Sequence, residues 1–268
     1  MAMMLRSMTT GELLDRTFFL YRTHFLLFVG IVALPYLAVL ALQLAGFAIQ
    51  TTFVSTIANS VLTGILYLLA MAASQAATVV TVSDVHLERP ASIAGAYAKV
   101  KNLIPRVLFI MIAVWLGIAM GLLLLIVPGV IFALMWSLAI PVAVLENKGL
   151  SEATTRSRDL TKGSRGRIFV IYFLFIVLLY IITLAWEVPM LAVLGSTLYA
   201  NKQVAPAWFS VVVTVMAFIT TSLVAPLLTI ALSLVYYDQR VRKEAFDLQL
   251  MMSSLETRPA NSVAAGAP

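Results

Sequence analysis

The chain contains no cysteine and only two histidines, His24 and His86. The lack of cysteine excludes a disulfide, a thiolate nucleophile and a cysteine-ligated metal, and two histidines disfavour a multi-histidine metal site. A glycine-rich phosphate loop, a His-Glu-x-x-His motif and a Gly-x-Ser-x-Gly nucleophile elbow are also missing from the sequence. We therefore expect no cofactor, no metal and no catalytic residue.

Charged side chains are scarce. They make up 11% of the residues, whereas 62% are hydrophobic and the mean hydropathy is +1.00. Soluble domains contain about 25% charged and about 45–50% apolar residues. A core formed by 268 residues could not bury so many apolar side chains, so the composition indicates a protein whose main solvent is the lipid bilayer.

Two long stretches have no formal charge at all: the 59 residues 25–83 and the 39 residues 107–145. A membrane-spanning helix needs about 20 apolar residues, because the hydrocarbon core is about 30 Å thick. Each stretch is long enough for two spans, and Val127-Pro128-Gly129 predicts a turn that divides the second. The six predicted spans are 25–47, 53–81, two within 107–145, 168–194 and 208–236.

Three polar segments show apolar positions at i, i+3, i+7 and i+10, the spacing of one helical face. This pattern predicts three amphipathic helices at the membrane surface, each followed by a two-span hairpin. The stripes are Gly11, Leu14, Phe18 and Tyr21; Ile93, Ala96, Val100 and Leu103; and Leu150, Ala153, Ser157 and Leu160.

Short local motifs predict where two of these helices begin and end. Thr9 and Glu12 have the spacing of a capping box, which places the start of the first helix there. In the third segment Ser151 is the predicted N-cap, Gly163 the predicted stop, and Glu152 with Arg156 a predicted i,i+4 ion pair.

The distribution of positive charge predicts orientation. With six spans both termini lie on one side, and of 18 Lys and Arg all but Lys202 fall on that side. Short loops rich in Lys and Arg stay in the cytoplasm, so we expect a multi-pass protein of a bacterial inner membrane with both termini cytoplasmic. Residues 1–252 form one predicted membrane domain, and 253–268 a disordered tail.

The net charge of +6 needs no nucleic-acid partner, because the basic residues lie beside the apolar runs, where anionic lipid headgroups are expected partners. A protein partner within the membrane is also possible. Asp15-Arg16, Glu146 and the Asp238–Arg240 pair are predicted at the cytoplasmic ends of spans, where ion pairs between helices are favoured over catalysis. The candidate polar residues are Asp15, Arg16, Glu146, Glu187, Asp238 and Arg240.

Within the predicted spans, Glu187 is the best candidate for a functional ionisable residue, although Trp186 beside it favours a position at the outer interface. Five uncharged polar residues also lie within or near the spans, and hydrogen bonds between helices explain them more simply than a path for a substrate does. These are Gln43, Gln50, Asn59, Gln75 and Ser137. Three prolines predict kinks in spans one, four and six, namely Pro35, Pro141 and Pro226.

Several motifs carry a family resemblance. They are Gly11-Glu12-Leu13-Leu14-Asp15-Arg16, Val127-Pro128-Gly129-Val130-Ile131, Trp136-Ser137, Leu145-Glu146 and Tyr236-Tyr237-Asp238-Gln239-Arg240. From about residue 9 to residue 250 the chain resembles the bacterial membrane domain of glycerophosphoryl diester phosphodiesterase. The resemblance implies a helical membrane domain that precedes a soluble phosphodiesterase domain in some relatives. It does not imply phosphodiesterase activity, because that activity belongs to a barrel domain with its own metal-binding residues.

The leading functional hypothesis is a non-enzymatic scaffold or accessory protein that binds lipid or a membrane partner through its basic cytoplasmic face. The alternative is a transporter or channel for a small or lipid-like substrate, which requires Gln43, Asn59, Gln75 and Ser137 to converge on a polar cavity. An enzyme acting on lipid would need Glu187 or His24 beside a second ionisable group.

Overall fold

A computed structural model describes residues 8–49, 52–200 and 207–244. Every regular element in these ranges is a helix, which confirms the all-α prediction. The helices are α1 Thr10–Thr23, α2 Phe25–Ile49, α3 Phe53–His86, α4 Ile93–Val100, α5 Ile104–Leu124, α6 Ile126–Met135, α7 Ala139–Leu145, α8 Leu150–Thr161, α9 Arg165–Ala200 and α10 Ala207–Glu244.

Six segments of these helices are long and apolar enough to cross a membrane, as the sequence predicts. They are Phe25–Phe47, Phe53–His86, Ile104–Leu124, Ile126–Leu145, Arg165–Ser196 and Trp208–Glu244. Their surfaces are largely unburied by other helices: Phe53 and Leu123 are each 81% exposed. Apolar surface on this scale is stable only against lipid. The protein is therefore a multi-pass membrane protein.

Helix α10 lies at the centre of the bundle and packs against α1, α2, α3, α7, α8 and α9. The largest buried cluster forms around its C-terminal half, where Ile230, Leu234 and Tyr236 are fully buried. Leu13 of α1 and Leu160 of α8 belong to the same cluster. Helices α1 and α8 are thus packed into the core beside the last turns of α10.

The turn between the third and fourth spans differs from the prediction. The chain reverses at Leu125, which is extended with φ −163° and ψ 151°, and Val127-Pro128-Gly129 lies in the first turn of α6. Proline is tolerated there because the first amides of a helix have no intrahelical acceptor. Gly129 serves close packing instead: a Cβ at this position would lie 2.4 Å from the side chain of Leu122.

The fourth span is broken rather than kinked. Helix α6 ends at Met135 and α7 begins at Ala139, so Pro141 lies in the first turn of a new helix. The break is bridged by Ser157 of α8, whose Oγ donates to the Met135 carbonyl at 2.8 Å and accepts from the Leu138 amide at 3.1 Å. A surface helix therefore satisfies backbone groups that would otherwise be orphaned.

Short helices form in all three segments where the stripes predict them, namely α1, α4 and α8. In α8 the predicted stripe residues Ala153, Ser157 and Leu160 are buried, and Gly163 has the left-handed φ of 85° that stops the helix. The predicted cap of α8 is wrong, because the N-cap is Gly149 and Ser151 lies in the first turn. In α4 the predicted stripe residues Ala96 and Val100 are buried.

The start of α1 is confirmed, since the reciprocal bonds of the capping box join Thr9 and Glu12. The predicted face is wrong: Leu13, Thr17 and Leu20 are buried, whereas Phe18 of the predicted stripe is 45% exposed. Apolar side chains surround much of this helix, so periodicity alone did not determine which of them contact α10 and α2.

Helix α9 continues without a break through Glu187 and Pro189 to Ala200. Pro35 and Pro226 likewise lie inside continuous helices. Proline is tolerated in membrane helices because neighbouring helices and local adjustment satisfy the freed backbone groups. Gln50, Lys202 and the predicted tail 253–268 lie outside the described residues.

Candidate functional site

Most charged side chains of the described residues lie at one end of the bundle. This polar end is defined by α1, by α4 and α8, and by the last two turns of α10. Contacts across it join distant parts of the chain, for example Lys99 with Asp84 at 2.6 Å and Arg106 with the Asn147 side chain at 2.5 Å. Five of the six candidate residues lie at this end: Asp15 and Arg16 on α1, Glu146 in the loop after α7, and Asp238 and Arg240 on α10.

Asp238 is the centre of the first ion-pair network. Its side chain is completely buried, and Oδ2 accepts from Arg167 Nη1 at 2.5 Å and from Arg242 Nε at 2.9 Å. The other oxygen, Oδ1, accepts from the Met8 amide at 2.6 Å. One carboxylate thereby fastens the segment before α1 and the start of α9 to α10. A buried charge is tolerated only when paired in this way.

Glu146 is the centre of the second network. Its carboxylate accepts from Arg156 Nε at 3.3 Å and from the Tyr236 hydroxyl at 3.0 Å, and Lys148 lies 3.4 Å away. Arg240 donates to the same Tyr236 hydroxyl at 3.3 Å. The network joins the loop after α7 to α8 and α10. Glu146 therefore takes part in pairing between helices, as predicted.

Arg156 connects the second network to the end of α10, because it also pairs with Glu244. The predicted partner of Arg156 was Glu152, and the structure gives Glu146 and Glu244 instead. Partial burial acts to lower the Arg156 pKa, but the carboxylates of Glu146 and Glu244 outweigh it and raise the pKa. The guanidinium is therefore a permanent cation that holds two carboxylates together.

The remaining candidates lie outside these networks. Asp15 is exposed on α1, and Arg16 lies over the ring of Phe19 at 5.4 Å from its centroid. Glu187 lies on α9 beside Trp186, whose indole donates to Thr220 Oγ1 at 3.1 Å. Among the described residues no second ionisable group forms a hydrogen bond or ion pair with Glu187, so the arrangement needed for acid–base chemistry is not assembled there.

Sequence reasoning missed His86, at the end of α3. It is 9% exposed, its ring lies 5.0 Å from that of Tyr237, and neither ring nitrogen has a hydrogen-bond partner. Tyr237 itself donates to Ser83 Oγ at 2.8 Å. No sequence motif surrounds His86, so only the fold identifies it as part of the core below the polar end.

A basic pocket lies beside the Asp238 network. It has a volume of about 610 Å³ and is bounded by the chain before α1, the turn between α8 and α9, and the end of α10. Four cationic side chains line it, namely Lys162, Arg167, Arg242 and Lys243. Lys243 donates to the carbonyls of Asp159 and Lys162 at 2.6 and 2.7 Å, so neither of these bonds neutralises its charge.

Polar residues inside the membrane line three neighbouring spaces instead of one. Gln43 and Asn59 line an outer groove of about 620 Å³ between α2 and α3. Gln75 lines a central cavity of about 280 Å³, and together with Ser137 a second cavity of about 310 Å³. Tyr67 lines both the groove and the central cavity. The four predicted residues thus do not meet at one point.

In the described ranges no three His, Asp or Glu side chains are grouped as metal ligands.

Comparison with known proteins identifies the family to which the chain belongs. The family model described as the membrane domain of glycerophosphoryl diester phosphodiesterase matches residues 109–262, more than half of the chain. The match begins within α5 and includes both Glu146 and Asp238. No curated protein and no solved structure shows significant similarity to the chain.

We expect Asp238→Asn to destabilise the protein by about 3 kcal/mol, because it removes the fully buried carboxylate that pairs with the partly buried guanidinium of Arg167 and with Arg242. Asp15→Asn is the matched control, since Asp15 is exposed, and should change stability by less than about 0.5 kcal/mol. Unfolding in detergent, followed by circular dichroism, measures both. Equal stability of the two variants would contradict a structural role for the Asp238 pairs.

Proposed function

Because the chain belongs to the family of membrane domains of glycerophosphoryl diester phosphodiesterase, we propose that it is a non-enzymatic accessory or scaffold domain that binds anionic lipid headgroups. The binding surface in this proposal is the polar end of the bundle, facing the cytoplasm of a bacterial inner membrane. A membrane protein partner is a second possible ligand of the same surface.

The observation that carries the proposal is the charge balance of the basic pocket. Its four lining cations outnumber the carboxylates beside them: Asp238 is shared by Arg167 and Arg242, and Asp159 lies near Lys243. Lys162 is exposed and adds a positive charge at the rim. A positively charged concavity at the level of the headgroups attracts phosphate oxygens, and guanidinium groups match their geometry.

Backbone groups add to this attraction. The pocket wall includes Gly166 and Arg167 in the first turn of α9, where amides have no intrahelical acceptor and the helix dipole is positive. A Cβ at Gly163 or at Gly166 would meet no atom within 4 Å, so the wall is open to an incoming group. These features support an anion at this position in addition to the side-chain charges.

The orientation in this proposal rests on charge. Lys202 is separated from every other Lys and Arg by a membrane span, and the positive-inside tendency then assigns the polar end to the cytoplasm. A non-enzymatic role is favoured because the carboxylates of Asp238 and Glu146 are already used to join helices. Neither is free to exchange protons with a substrate without loosening the bundle.

A second candidate function is transport, and the three intramembrane spaces are the observation that favours it. Tyr67 links the outer groove to the central cavity, and Gln75 links the central cavity to the next. Together they describe a possible polar route along α3. The absence of charged residues from the three linings restricts this route to uncharged or lipid-like substrates.

We expect Lys162→Gln to weaken binding of an anionic lipid about fivefold, because one surface cation contributes about 1 kcal/mol. Lys101→Gln is the control: Lys101 is also exposed at the polar end but follows α4 and does not line the pocket. Native mass spectrometry of the purified protein with phosphatidylglycerol measures the bound lipid. Equal affinity of the two variants would exclude the pocket as the binding surface.

The transport hypothesis is tested by a cysteine at Gln75, since the chain has no other cysteine. A water-filled route predicts that Gln75→Cys reacts with a membrane-impermeant thiol reagent added to intact cells. A cavity closed to water predicts no reaction until the membrane is dissolved and the protein unfolded. Thr56 is exposed in the first turn of α3, so Thr56→Cys serves as the positive control for labelling.

A further inference from the structure

The central cavity lies within the membrane-spanning part of the bundle, away from the polar end. It is enclosed by α2, α3, α9 and α10, and its lining includes Tyr36, Tyr67, Ser74, Gln75, Thr78 and Thr229. The next cavity shares Met71, Gln75, Leu228 and Thr229 with it. With volumes of about 280 and 310 Å³, the two cavities lie near the lower end of the range for ligand pockets, about 300–1,000 Å³.

Two polar groups on the cavity wall lack adequate partners. Thr78 is 1% exposed, and its Oγ1 has no hydrogen-bond partner. The Gln75 side-chain amide has only a weak contact, from Nε2 to the Met111 sulfur at 4.0 Å. Other hydroxyls of the lining are satisfied by their own helix, as Ser74 is by the Met71 carbonyl at 3.1 Å. A buried polar group without a partner costs free energy, so Thr78 favours a bound hydrogen-bonding molecule, and the half-buried amide of Gln75 on the same wall can form a further hydrogen bond with it.

The rest of the lining limits what that molecule can be. No charged residue lines either cavity, and an ion there would lose its hydration without a counter-charge. Apolar side chains such as Val32, Phe175 and Leu179 surround the polar positions and suit hydrocarbon. Through Tyr67 the cavity adjoins the outer groove, so a molecule dissolved in the bilayer could approach from the side.

From this combination we propose that the central cavity is a binding site for an uncharged lipid with a free hydroxyl group, of the diacylglycerol or long-chain alcohol type. A hydroxyl both donates and accepts, as do the Thr78 hydroxyl and the Gln75 amide, so one ligand group satisfies both. The apolar chain of the lipid then occupies the space between α2, α9 and α10. This site shares no lining residue with the basic pocket, and it does not depend on headgroup binding there.

Photo-crosslinking with a diacylglycerol that carries a diazirine near its glycerol tests the proposal. The purified full-length protein in lipid nanodiscs is irradiated, and the modified peptides are located by mass spectrometry. We expect labelling of the α3 and α10 segments that line the cavity. The same lipid with its hydroxyl blocked as an acetate ester should label these segments at least fivefold less.

Two threonine variants identify the polar group that is responsible. Thr78→Val replaces the unpartnered hydroxyl by a methyl group of similar size and should lower cavity labelling at least fivefold. Thr81→Val is the matched control: Thr81 is also 1% exposed on α3, but its hydroxyl donates to the Ala77 carbonyl at 2.8 Å and it does not line the cavities. Labelling in the control should equal that of the unmodified protein.

A charged probe separates this site from the headgroup site. Phosphatidic acid with the same chains and diazirine should label the polar end and leave the cavity unlabelled. Absence of labelling at the polar end alone would count against the proposed function and leave the cavity site standing. The cavity site is refuted if diacylglycerol fails to label it, if phosphatidic acid labels it equally, or if Thr78→Val labels as strongly as Thr81→Val.

Discussion

The buried carboxylate of Asp238 is the interaction on which the polar end depends. It lies on the central helix α10 and accepts from Arg167, Arg242 and the Met8 amide. The pairs therefore connect residues near the start of the chain, the beginning of the fifth span and the end of the sixth. Removal of both arginines would leave the buried carboxylate uncompensated, which is far more costly than losing an exposed ion pair.

The bundle is divided along its length by the kind of interaction that stabilises it. Around the last turns of α10, aromatic and aliphatic side chains are fully buried and ion pairs join the surface helices to the spans. Towards the other end, residues such as Phe53 and Leu123 are exposed, as is expected of apolar side chains that face lipid. The break between α6 and α7 illustrates the coupling, since a serine of the surface helix α8 satisfies the broken span. The same fixed end carries the basic pocket proposed to bind headgroups.

Much of this architecture follows from the sequence because the bilayer imposes strong constraints on it. Charge-free runs predict the spans, and the Thr9–Glu12 capping box predicts the start of α1, since both signals are local. The effects of proline were harder to predict: Val127-Pro128-Gly129 was expected to form a turn and lies in the first turn of α6, and Pro141 was expected to kink the fourth span and lies at the start of the separate helix α7. Whether a proline ends a helix depends on neighbouring helices that the sequence pattern does not specify.

The candidate site was predicted only in part. Asp238 and Glu146 were expected to form ion pairs between helices, but their partners were not predicted, because the positions of Arg167 at the start of α9 and of Arg156 on α8 depend on tertiary packing. No sequence pattern predicted that the Thr78 hydroxyl would lack a partner, because a threonine in a span ordinarily bonds to its own helix, as Thr81 does. The buried face of α1 was also missed, since its apolar residues do not form a single stripe.

The central claim is that all the joined polar segments occupy the cytoplasmic side of six spans. Single cysteines in this cysteine-free chain test it most directly when an impermeant thiol reagent is applied to intact cells and to inverted vesicles. The account predicts that Ala94→Cys and Thr154→Cys react only in inverted vesicles and Ser55→Cys only in intact cells. Labelling of Thr154→Cys in intact cells would contradict both the orientation and the proposed headgroup-binding face.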